Sequence, residues 1–580
     1  MSPSALRILL LCSAFNGASQ RVWCELRDAG HYVTVEIATG AENIREAAHL
    51  VDPDLIICPY LKHRVPTDVW QRWRTVIIHP GPVGDRGAAS LDWAILRGVP
   101  EWGVTALQAV DDMDAGPVWA AERFAMPAGW TKSEIYAGPV TDAAARLAHQ
   151  VVRAAADPAF TPTPVEPLPG IVPTCRQADR AIDWTSDSTA DVLRRVRASD
   201  GQPGVLTEVE GRQLRVYDAH PGSGDGVDRD GGAAGQVLGV RDGAVLVGTI
   251  DGAVWFGQAR DEQSRVKVPA AWLLDLGERP PVLLDRGGAG QRRVSYRRHG
   301  DVGVVSWRLP GGAMNVRTCR RILRALRHAA AQPTTAIVLA NSTAGPWSNG
   351  IDLNAIEAAH DPGRESWVNI NAIDDLALAI LTLSDQVTVA ALGGSAGAGG
   401  VVLAGACDLV VARGGVVLNP HYATMGLFGS EYWTYVLPRR VGQEQAQRLT
   451  RECLPVSTSG ALRMGLVDRI VETSSTAFVE AAVETTREAI AASGRQLLDD
   501  KWARRMADER GKPLDAYRAE ELGEMARVFF DPAADYHRLR QEFVLKTPAT
   551  TTPARIALHR PGGDQADQCD EWRMASRASA

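Results

Sequence analysis

Long apolar runs are missing from this sequence. No stretch approaches the roughly 20 consecutive apolar residues that a membrane-spanning helix needs. The segment RILLLCSA, from Arg7 to Ala14, resembles the core of a secretory signal, but it is short, and a helix-like segment and a second strand-like segment follow it directly. The sequence therefore predicts a first β-strand at this point and a protein that does not bind membranes.

Cysteines with metal-ligand spacing are also missing. The eight cysteines are scattered between Cys12 and Cys569, with no CxxC or zinc-type spacing. This pattern predicts reduced thiols in a cytoplasmic protein and no metal site. No GxGxxG follows the first strand, which argues against a dinucleotide cofactor. The net charge of −7 argues against nucleic-acid binding, which needs clustered positive charge.

The chain is too long for a single hydrophobic core. Its 580 residues suggest roughly three or four domains. Apolar content of 45% and charged content of 23% are typical of a soluble globular enzyme. In the first part of the chain, strand-like segments alternate with helix-like ones. That alternation predicts a parallel sheet with right-handed crossovers.

A histidine at the end of a buried strand is the first candidate for chemistry. The apolar run Val76–Ile78 leads into His79, after which prolines and glycines force a loop. Ligands gather at this edge of open α/β sheets. Asp114, in the segment MDAGPV, is a carboxylate that can orient a histidine and raise its basicity. The alternative is a strand-end histidine bonded to the backbone and an aspartate that caps a turn.

This segment resembles the formyltransferases that use 10-formyltetrahydrofolate. Their pattern is Asn-x-His, a loop ending in Arg-Gly-Ala-Ala, and Asp-x-Gly. His79, the run Arg86–Ala89 and Asp114 match it. The resemblance implies a Rossmann-like domain whose catalytic residues are His79 and Asp114. It also implies that Gly81, Arg86 and Gly87 lie in the loop that binds the folate and its formyl group.

One departure from that pattern concerns the family's asparagine, which donates a hydrogen bond to the oxyanion. Its position is Ile77 here, and loss of such a donor costs roughly 3 kcal/mol of transition-state stabilisation. Either another group donates or the acceptor differs. After a proline-rich linker, DRAIDW (Asp179–Trp184) and VRASDGQP (Val196–Pro203) resemble the small OB-like β-barrel domain that follows the catalytic domain in formyltransferases.

The second half of the chain resembles the crotonase (enoyl-CoA hydratase/isomerase) superfamily. The matching segments include SNGID (Ser348–Asp352), the glycine-rich stretch Val387–Val411, and LPVSTSGALRMGLVD (Leu454–Asp468). The resemblance implies a thioester site whose oxyanion hole consists of the backbone N–H groups of Asn349 and Gly399. Two fixed donors suit a developing oxyanion, and glycine allows a close backbone approach.

The residues of an ordinary hydratase are absent from this half. The positions of its two glutamates are Val402 and Tyr422, counted from Cys407-Asp408. Glu431 is the nearest candidate carboxylate. We expect Tyr422 and Glu431 to form an acid/base pair, with the phenol as proton donor and the carboxylate as base, although this division of roles is open. The alternative is a packed tyrosine and a surface glutamate.

Nearly the whole chain resembles the HypX (HoxX) hydrogenase maturation proteins. The strings HPGPVGDRG, LDWAILRG, MDAGPVWAA and GLFGSEYWTYVLPRRVG carry this resemblance. It implies formyl transfer from 10-formyltetrahydrofolate to coenzyme A, and decarbonylation of formyl-CoA to supply the carbon monoxide ligand of a [NiFe]-hydrogenase. Hydrogenase maturation proteins or the hydrogenase large subunit are the implied partners. Since free formyl-CoA would hydrolyse, we predict that the two sites face a shared internal cavity.

Two other functions stay open on the sequence. One is an amine formyltransferase fused to a hydratase-like domain, and the other is a non-catalytic assembly scaffold. The predicted fold is multidomain α/β. Its predicted parts are a Rossmann-like domain at 1–157, a linker at 158–173, a β-barrel at 174–285, a crotonase fold at 291–490, a helical region at 491–560 and a disordered tail at 561–580.

Overall fold

The computed structural model describes residues 5–165, 172–222, 234–277 and 293–560. It divides into two compact units. The first comprises Met1–Ala128, Ile135–Cys175 and Pro548–Ala580, and the second comprises Gly129–Glu134 and Arg176–Thr547. Part of the predicted linker (166–171), parts of the predicted barrel (223–233 and 278–285), the first residues of the predicted crotonase fold (291–292) and the predicted tail lie outside the described residues.

The first unit is built on one six-stranded sheet. Its strands are β1 (Arg7–Cys12), β2 (Tyr32–Ile37), β3 (Leu55–Tyr60), β4 (Thr75–His79), β5 (Glu101–Gln108) and β6 (Val118–Ala125). The helices in this part of the chain are α1 (Gly17–Asp28), α2 (Ala41–Val51), α3 (Thr67–Arg72), α4 (Ser90–Leu96), α5 (Lys132–Ile135) and α6 (Thr141–Ala156).

The strand order β2-β1-β3-β4-β5-β6 places β4 near the middle of this sheet. The first four strands pair in parallel, as predicted, whereas β5 and β6 are antiparallel additions. Apolar residues of β1 and β3 are fully buried on both faces, as expected for parallel strands covered by helices. His79 is the last residue of β4 and pairs with Thr105 of β5. The fold therefore presents His79 at the carboxyl edge of the sheet.

The end of the described chain returns to this first sheet. The Val35 N–H donates to the Ile556 carbonyl, and the Ile37 N–H donates to the Thr552 hydroxyl. Glu36, also on β2, accepts hydrogen bonds from Thr552 Oγ1 and from His559 Nε2 at 2.9 Å. Residues 548–560 therefore cover the β2 edge of the first unit, a contact that the sequence did not predict.

The second unit begins with a small antiparallel sheet. Helix α7 (Thr189–Ser199) has a capping box made by Ser188 and Asp191 and packs on this sheet. The strand order is β7-β8-β11-β10-β9, and β12 pairs with β11. The strands are β7 (Val205–Val209), β8 (Arg212–Pro221), β9 (Val237–Arg241), β10 (Ala244–Thr249), β11 (Gly252–Asp261) and β12 (Lys267–Pro269).

A second six-stranded sheet, in the order β13-β14-β15-β16-β18-β21, organises the rest of this unit. Its pairs are parallel except for the hairpin β13–β14. A separate three-stranded sheet has the strand order β17-β19-β20. The strands are β13 (Val294–His299), β14 (Val302–Trp307), β15 (Ala336–Asn341), β16 (Val387–Leu392), β17 (Ala396–Gly397), β18 (Leu409–Arg413), β19 (Val417–Asn419), β20 (Val456–Ser457) and β21 (Arg469–Val471).

Helices cover both faces of this second large sheet, which is why its central strands β15 and β16 are fully buried. The helices are α8 (Val316–Ala330), α9 (Leu353–Glu357), α10 (Pro362–Thr382), α11 (Gly399–Gly405), α12 (Trp433–Val441), α13 (Gln443–Glu452), α14 (Thr458–Met464), α15 (Phe478–Gly511), α16 (Leu514–Phe529) and α17 (Asp535–Leu545). The predicted multidomain α/β fold is confirmed. None of the described helices combines the length and the apolarity needed to cross a membrane.

Candidate active site

The first candidate site lies at the end of β4 and in the loop that follows it. His79 is only 4% exposed. The loop doubles back on the ring at Gly81, where an added Cβ would overlap both His79 Nε2 and Asp85 Oδ2. Glycine is therefore required at this position, and the reason is packing against the histidine.

Two carboxylates flank the His79 ring. Asp85 Oδ2 lies 2.8 Å from Nε2, and Asp114 Oδ2 lies 3.5 Å from Nδ1. Asp114 has a left-handed backbone with φ of 53°, and its Oδ2 accepts a hydrogen bond of 3.0 Å from the Gly87 N–H. A non-glycine residue in that conformation is held there by its surroundings, and such positions cluster at functional sites. The predicted pair of His79 and Asp114 does come together.

The loop residues Arg86 and Gly87 frame this histidine. Arg86 Nε donates to the Met113 carbonyl at 2.8 Å, next to Asp114. Gly87 has φ of +120°, a conformation that glycine adopts freely. Ile77, two residues before His79, packs against the core of the sheet and offers no donor. Asp85 was not predicted from the sequence, although an acidic residue six positions after the histidine, in the same glycine- and proline-rich loop, could have indicated it.

The second candidate site lies between the turn at 349–351 and the start of α11. The Asn349 N–H, one of the two predicted oxyanion donors, donates to the Gly312 carbonyl at 2.7 Å. Two residues later, the Ile351 N–H has no acceptor among the described residues. A Cβ added to Gly350 would lie 3.2 Å from the Gly399 nitrogen, so the turn and the helix start are adjacent. Gly399 opens α11, where the first N–H groups have no partner within the helix.

Glu431 lies directly against this helix start. A Cβ at Gly399 would overlap its carboxylate, so no larger residue fits there. Glu431 is 1% exposed, which excludes the alternative of a surface glutamate. Glu431 and the next residue, Tyr432, both have left-handed backbone, with φ of 59° and 64°. Two consecutive non-glycine residues in this region indicate strain that the surrounding fold stabilises.

Tyr422 and Glu431 form a buried pair. The Tyr422 hydroxyl donates to Glu431 Oε2 at 2.8 Å, and Tyr422 is 5% exposed. Gly429, with φ of +95°, passes so close to the Tyr422 ring that a Cβ would overlap it. Burial and then the charge of Glu431 raise the pKa of Tyr422 well above its usual value. The phenol therefore keeps its proton, and the carboxylate is the acceptor of the pair.

Two further carboxylates hold the Glu431 segment in place. Asp374 of α10 accepts from the Ser430 hydroxyl at 2.8 Å and from the Glu431 N–H at 2.9 Å. Glu521 of α16 accepts from the Tyr432 N–H at 2.9 Å. Burial raises the pKa of Asp374 to about 6 and that of Glu521 to about 8.

These neighbours also act on Glu431 itself. Burial and then the charge of Asp374 raise the pKa of Glu431 to about 8. A carboxylate with this pKa is a stronger base than an ordinary glutamate and stands near neutrality, as a general base should. Asp374 and Glu521 were not predicted from the sequence, because an acidic residue in a helix usually indicates a solvated face.

No metal cluster is found within the described ranges, in the sense of three or more His, Cys, Asp or Glu side chains grouped to hold an ion. In each site a proton-carrying side chain is hydrogen-bonded to a carboxylate in a nearly water-free environment. Such an arrangement can move a proton during attack on, or breakdown of, a carbonyl group.

Three sequence families match successive parts of the chain. They are formyl transferase at residues 27–152, the formyl transferase C-terminal domain at 175–274, and enoyl-CoA hydratase/isomerase at 302–523. The methionyl-tRNA formyltransferase of Sorangium cellulosum is 30% identical over 178 residues, which is 30% of this chain and 56% of that protein.

Two relatives cover nearly the full length. The hydrogenase maturation factor HoxX of Bradyrhizobium diazoefficiens is 43% identical over 564 residues, 96% of this chain and 97% of that protein. The crystal structure of HypX from Aquifex aeolicus in complex with tetrahydrofolic acid matches with a TM-score of 0.91 at 39% identity. It covers 96% of this chain and 99% of that one. The chain belongs to the HoxX/HypX family of hydrogenase maturation factors.

Proposed function

We propose that this protein makes carbon monoxide from 10-formyltetrahydrofolate in two steps. The formyl group is first transferred to the thiol of coenzyme A, and formyl-CoA is then split into carbon monoxide and free CoA. The observation that carries the proposal is the buried Tyr422–Glu431 pair, set against Gly399 where hydratases bind a thioester. The folate complex of the Aquifex relative supports folate as the one-carbon carrier.

The first step uses the site around His79. Asp114 holds the ring through Nδ1, and Arg86 and Gly87 hold the loop that closes over it. His79 takes part in moving the thiol proton to the leaving folate nitrogen. A thiol, with a pKa near 8.5, ionises far more easily than an amine or water. It therefore tolerates a weaker oxyanion site, which agrees with isoleucine in place of asparagine at position 77.

The second step uses the site around Glu431. Formyl-CoA has no α-carbon, so the enolate chemistry of hydratases is impossible. Glu431 takes the formyl proton, the C–S bond breaks, and Tyr422 gives its proton to the leaving sulfur. The hydrogen bond of 2.8 Å between the two side chains then returns the proton from Glu431 to Tyr422. Atoms and charges balance, and the products are carbon monoxide and CoA.

The oxyanion donors of this step are the N–H of Gly399 and an N–H of the adjacent turn. Asn349 was the predicted second donor, but its N–H is engaged by Gly312. The unpartnered Ile351 N–H in the same turn is the better candidate. Val402, where hydratases carry a glutamate, is fully buried in the core and takes no part in proton transfer.

The setting of this function is also part of the proposal. The seven cysteines within the described residues are buried and form no disulfide, which suits a reducing cytoplasm. The partner that receives the gas is a hydrogenase maturation protein or the hydrogenase large subunit, and no metal takes part in the two reactions. Because free formyl-CoA would hydrolyse, we propose that the second step consumes it before it is released to solvent.

A gas-trapping assay tests this function. The purified protein is incubated with 10-formyltetrahydrofolate and CoA, and deoxyhaemoglobin reports carbon monoxide by its absorption spectrum. The proposal predicts a signal that requires both substrates. A formylated amine product without gas would indicate an amine formyltransferase. No reaction from well-folded protein would indicate a non-catalytic scaffold.

A further inference from the structure

Asp85 is the second carboxylate in contact with His79, and the two-step mechanism proposed above does not use it. It binds Nε2 at 2.8 Å while Asp114 lies 3.5 Å from Nδ1. A neutral imidazole carries a single N–H, and an ionised carboxylate can only accept hydrogen bonds. Because an acceptor faces each ring nitrogen, the arrangement suits an imidazolium that donates from both sides.

The groups around this cluster leave Asp85 available for chemistry. The nearest cation of the loop, Arg86, directs its Nε to the Met113 carbonyl. Asp114 is occupied by the Gly87 N–H, and the Ser90 hydroxyl, 3.5 Å from His79 Nε2, donates to the Gly87 carbonyl. Asp85 Oδ1, in contrast, accepts no hydrogen bond from any described residue, although its side chain is only 10% exposed.

We propose that Asp85 is the base and His79 the acid of the formyl-transfer step, an inference that rests on the transfer to CoA proposed above. Asp85 takes the thiol proton as the C–S bond forms. His79 gives its Nε2 proton to the folate nitrogen as the C–N bond breaks. Asp85 then returns a proton to Nε2 across the contact of 2.8 Å. The net change is one proton moved from sulfur to nitrogen.

This division of labour accounts for two features of the first site. Gly81 lacks the Cβ that would force Asp85 away from Nε2, so the fold keeps the base and the acid in contact. A positively charged ring beside the formyl oxygen also stabilises the negative charge that develops during attack. The Ile77 side chain has no donor for this oxyanion. The charged His79 ring therefore stabilises it in place of the family's asparagine.

The test is the Asp85→Asn variant, in which the amide keeps the size of the side chain but cannot take a proton. Single-turnover formation of tetrahydrofolate is measured at saturating CoA. At pH 7 we expect the transfer rate to fall at least about 100-fold, with tetrahydrofolate binding retained. The ratio of the wild-type rate to the variant rate should fall at least tenfold between pH 7 and pH 9, because a thiol that has already lost its proton to solvent needs no base.

Asp111→Asn, at an exposed aspartate that pairs with Arg64 outside the candidate site, is the matched control and keeps the wild-type rate. An Asp85→Asn rate within threefold of wild type at pH 7 would overturn the inference. So would a variant that folds and binds tetrahydrofolate but keeps the same deficit at every pH, since that result indicates a structural role. A wild-type protein that forms no tetrahydrofolate on addition of CoA would instead contradict the proposed function.

Discussion

The Tyr422 hydroxyl donates a hydrogen bond of 2.8 Å to Glu431 Oε2, and both side chains are buried. A phenol that stays protonated beside a carboxylate of raised pKa can act as acid while its neighbour acts as base. The backbone strain at Glu431 and the contact with Gly399 fix the carboxylate at the start of α11. This geometry provides one acid and one base at the same carbonyl group.

Removal of the Tyr422 hydroxyl should separate the two steps. Tyr422→Phe keeps the ring against Gly429 but has no proton to give to the leaving sulfur. We expect release of carbon monoxide to fall at least about 100-fold, while CoA-dependent formation of tetrahydrofolate continues until CoA is consumed. Haemoglobin absorbance and folate chromatography measure the two products.

Tyr435→Phe is the control for that variant. In the wild-type protein the Tyr435 hydroxyl is hydrogen-bonded to Asp508 and Arg505, outside the candidate site. This variant should release carbon monoxide at the wild-type rate. A fully active Tyr422→Phe would show that the second site has been misassigned.

The His79→Ala variant tests whether the first site acts in formyl transfer alone. Without the ring, formyl transfer to CoA should become undetectable. Chemically prepared formyl-CoA bypasses this step, so the same variant should still release carbon monoxide from it at the wild-type rate. Loss of both activities in folded protein would contradict the assignment of His79 to transfer alone.

The raised pKa of Glu431 predicts a pH dependence for the second step. The base must be ionised, so release of carbon monoxide from supplied formyl-CoA should rise with pH through a midpoint near pH 8. Asp374→Asn removes a neighbouring negative charge and should move this midpoint to lower pH. A midpoint that stays unchanged in a folded Asp374→Asn variant would show that this charge does not act on the base.

The same pKa predicts a stability effect of defined sign. Unfolded Glu431 ionises near pH 4.5, whereas the folded residue stays protonated until about pH 8. Between these values the unfolded state binds fewer protons, so Glu431 destabilises the fold increasingly as pH rises. Glu431→Gln should therefore raise the free energy of unfolding at pH 7 by roughly 2–4 kcal/mol while abolishing carbon monoxide release. Urea unfolding at pH 5 and pH 7 measures the difference, and a gain no larger at pH 7 than at pH 5 would contradict it.

In the first unit, ionisation of Glu36 should stabilise the fold, which is the opposite of the effect expected for Glu431. Burial raises its pKa, but hydrogen bonds led by His559 and Arg560 outweigh this effect and lower it to about 2. The resulting stabilisation is complete above pH 4.5 and is lost as pH falls towards 2. Glu36→Gln should cost about 2 kcal/mol at pH 7 and increase hydrogen exchange in residues 548–560. Unchanged exchange in that segment would show that Glu36 does not hold it.

The sequence predicted the parts of the site that lie in short local patterns. His79 follows an apolar strand, and the resemblance to the crotonase superfamily indicates Gly399 in a glycine-rich stretch, so both positions could be located without a structure. The pairing of His79 with Asp114 was also predicted, but the strand arrangement beside it was not: β5, which precedes the Asp114 loop, runs antiparallel to β4, whereas the sequence predicted a parallel sheet.

Residues that act across long sequence separations left no such pattern. Asp374 lies on an ordinary helix and reaches the Glu431 N–H across 57 positions, and His559 reaches Glu36 across 523. The engagement of the Asn349 N–H by Gly312 likewise depends on how two loops meet. Tertiary packing, rather than local propensity, decides all three contacts.

The most direct test of the central claim follows the carbon atom itself. The protein is mixed with CoA and with 10-formyltetrahydrofolate that carries ¹³C in the formyl group, and it is allowed one turnover in the presence of deoxyhaemoglobin. The gas bound to haemoglobin is then identified by its infrared stretch. The account predicts one ¹³C-labelled carbon monoxide per tetrahydrofolate formed, and none without CoA. Labelled formate in place of the gas, or gas that forms equally well without CoA, would contradict it.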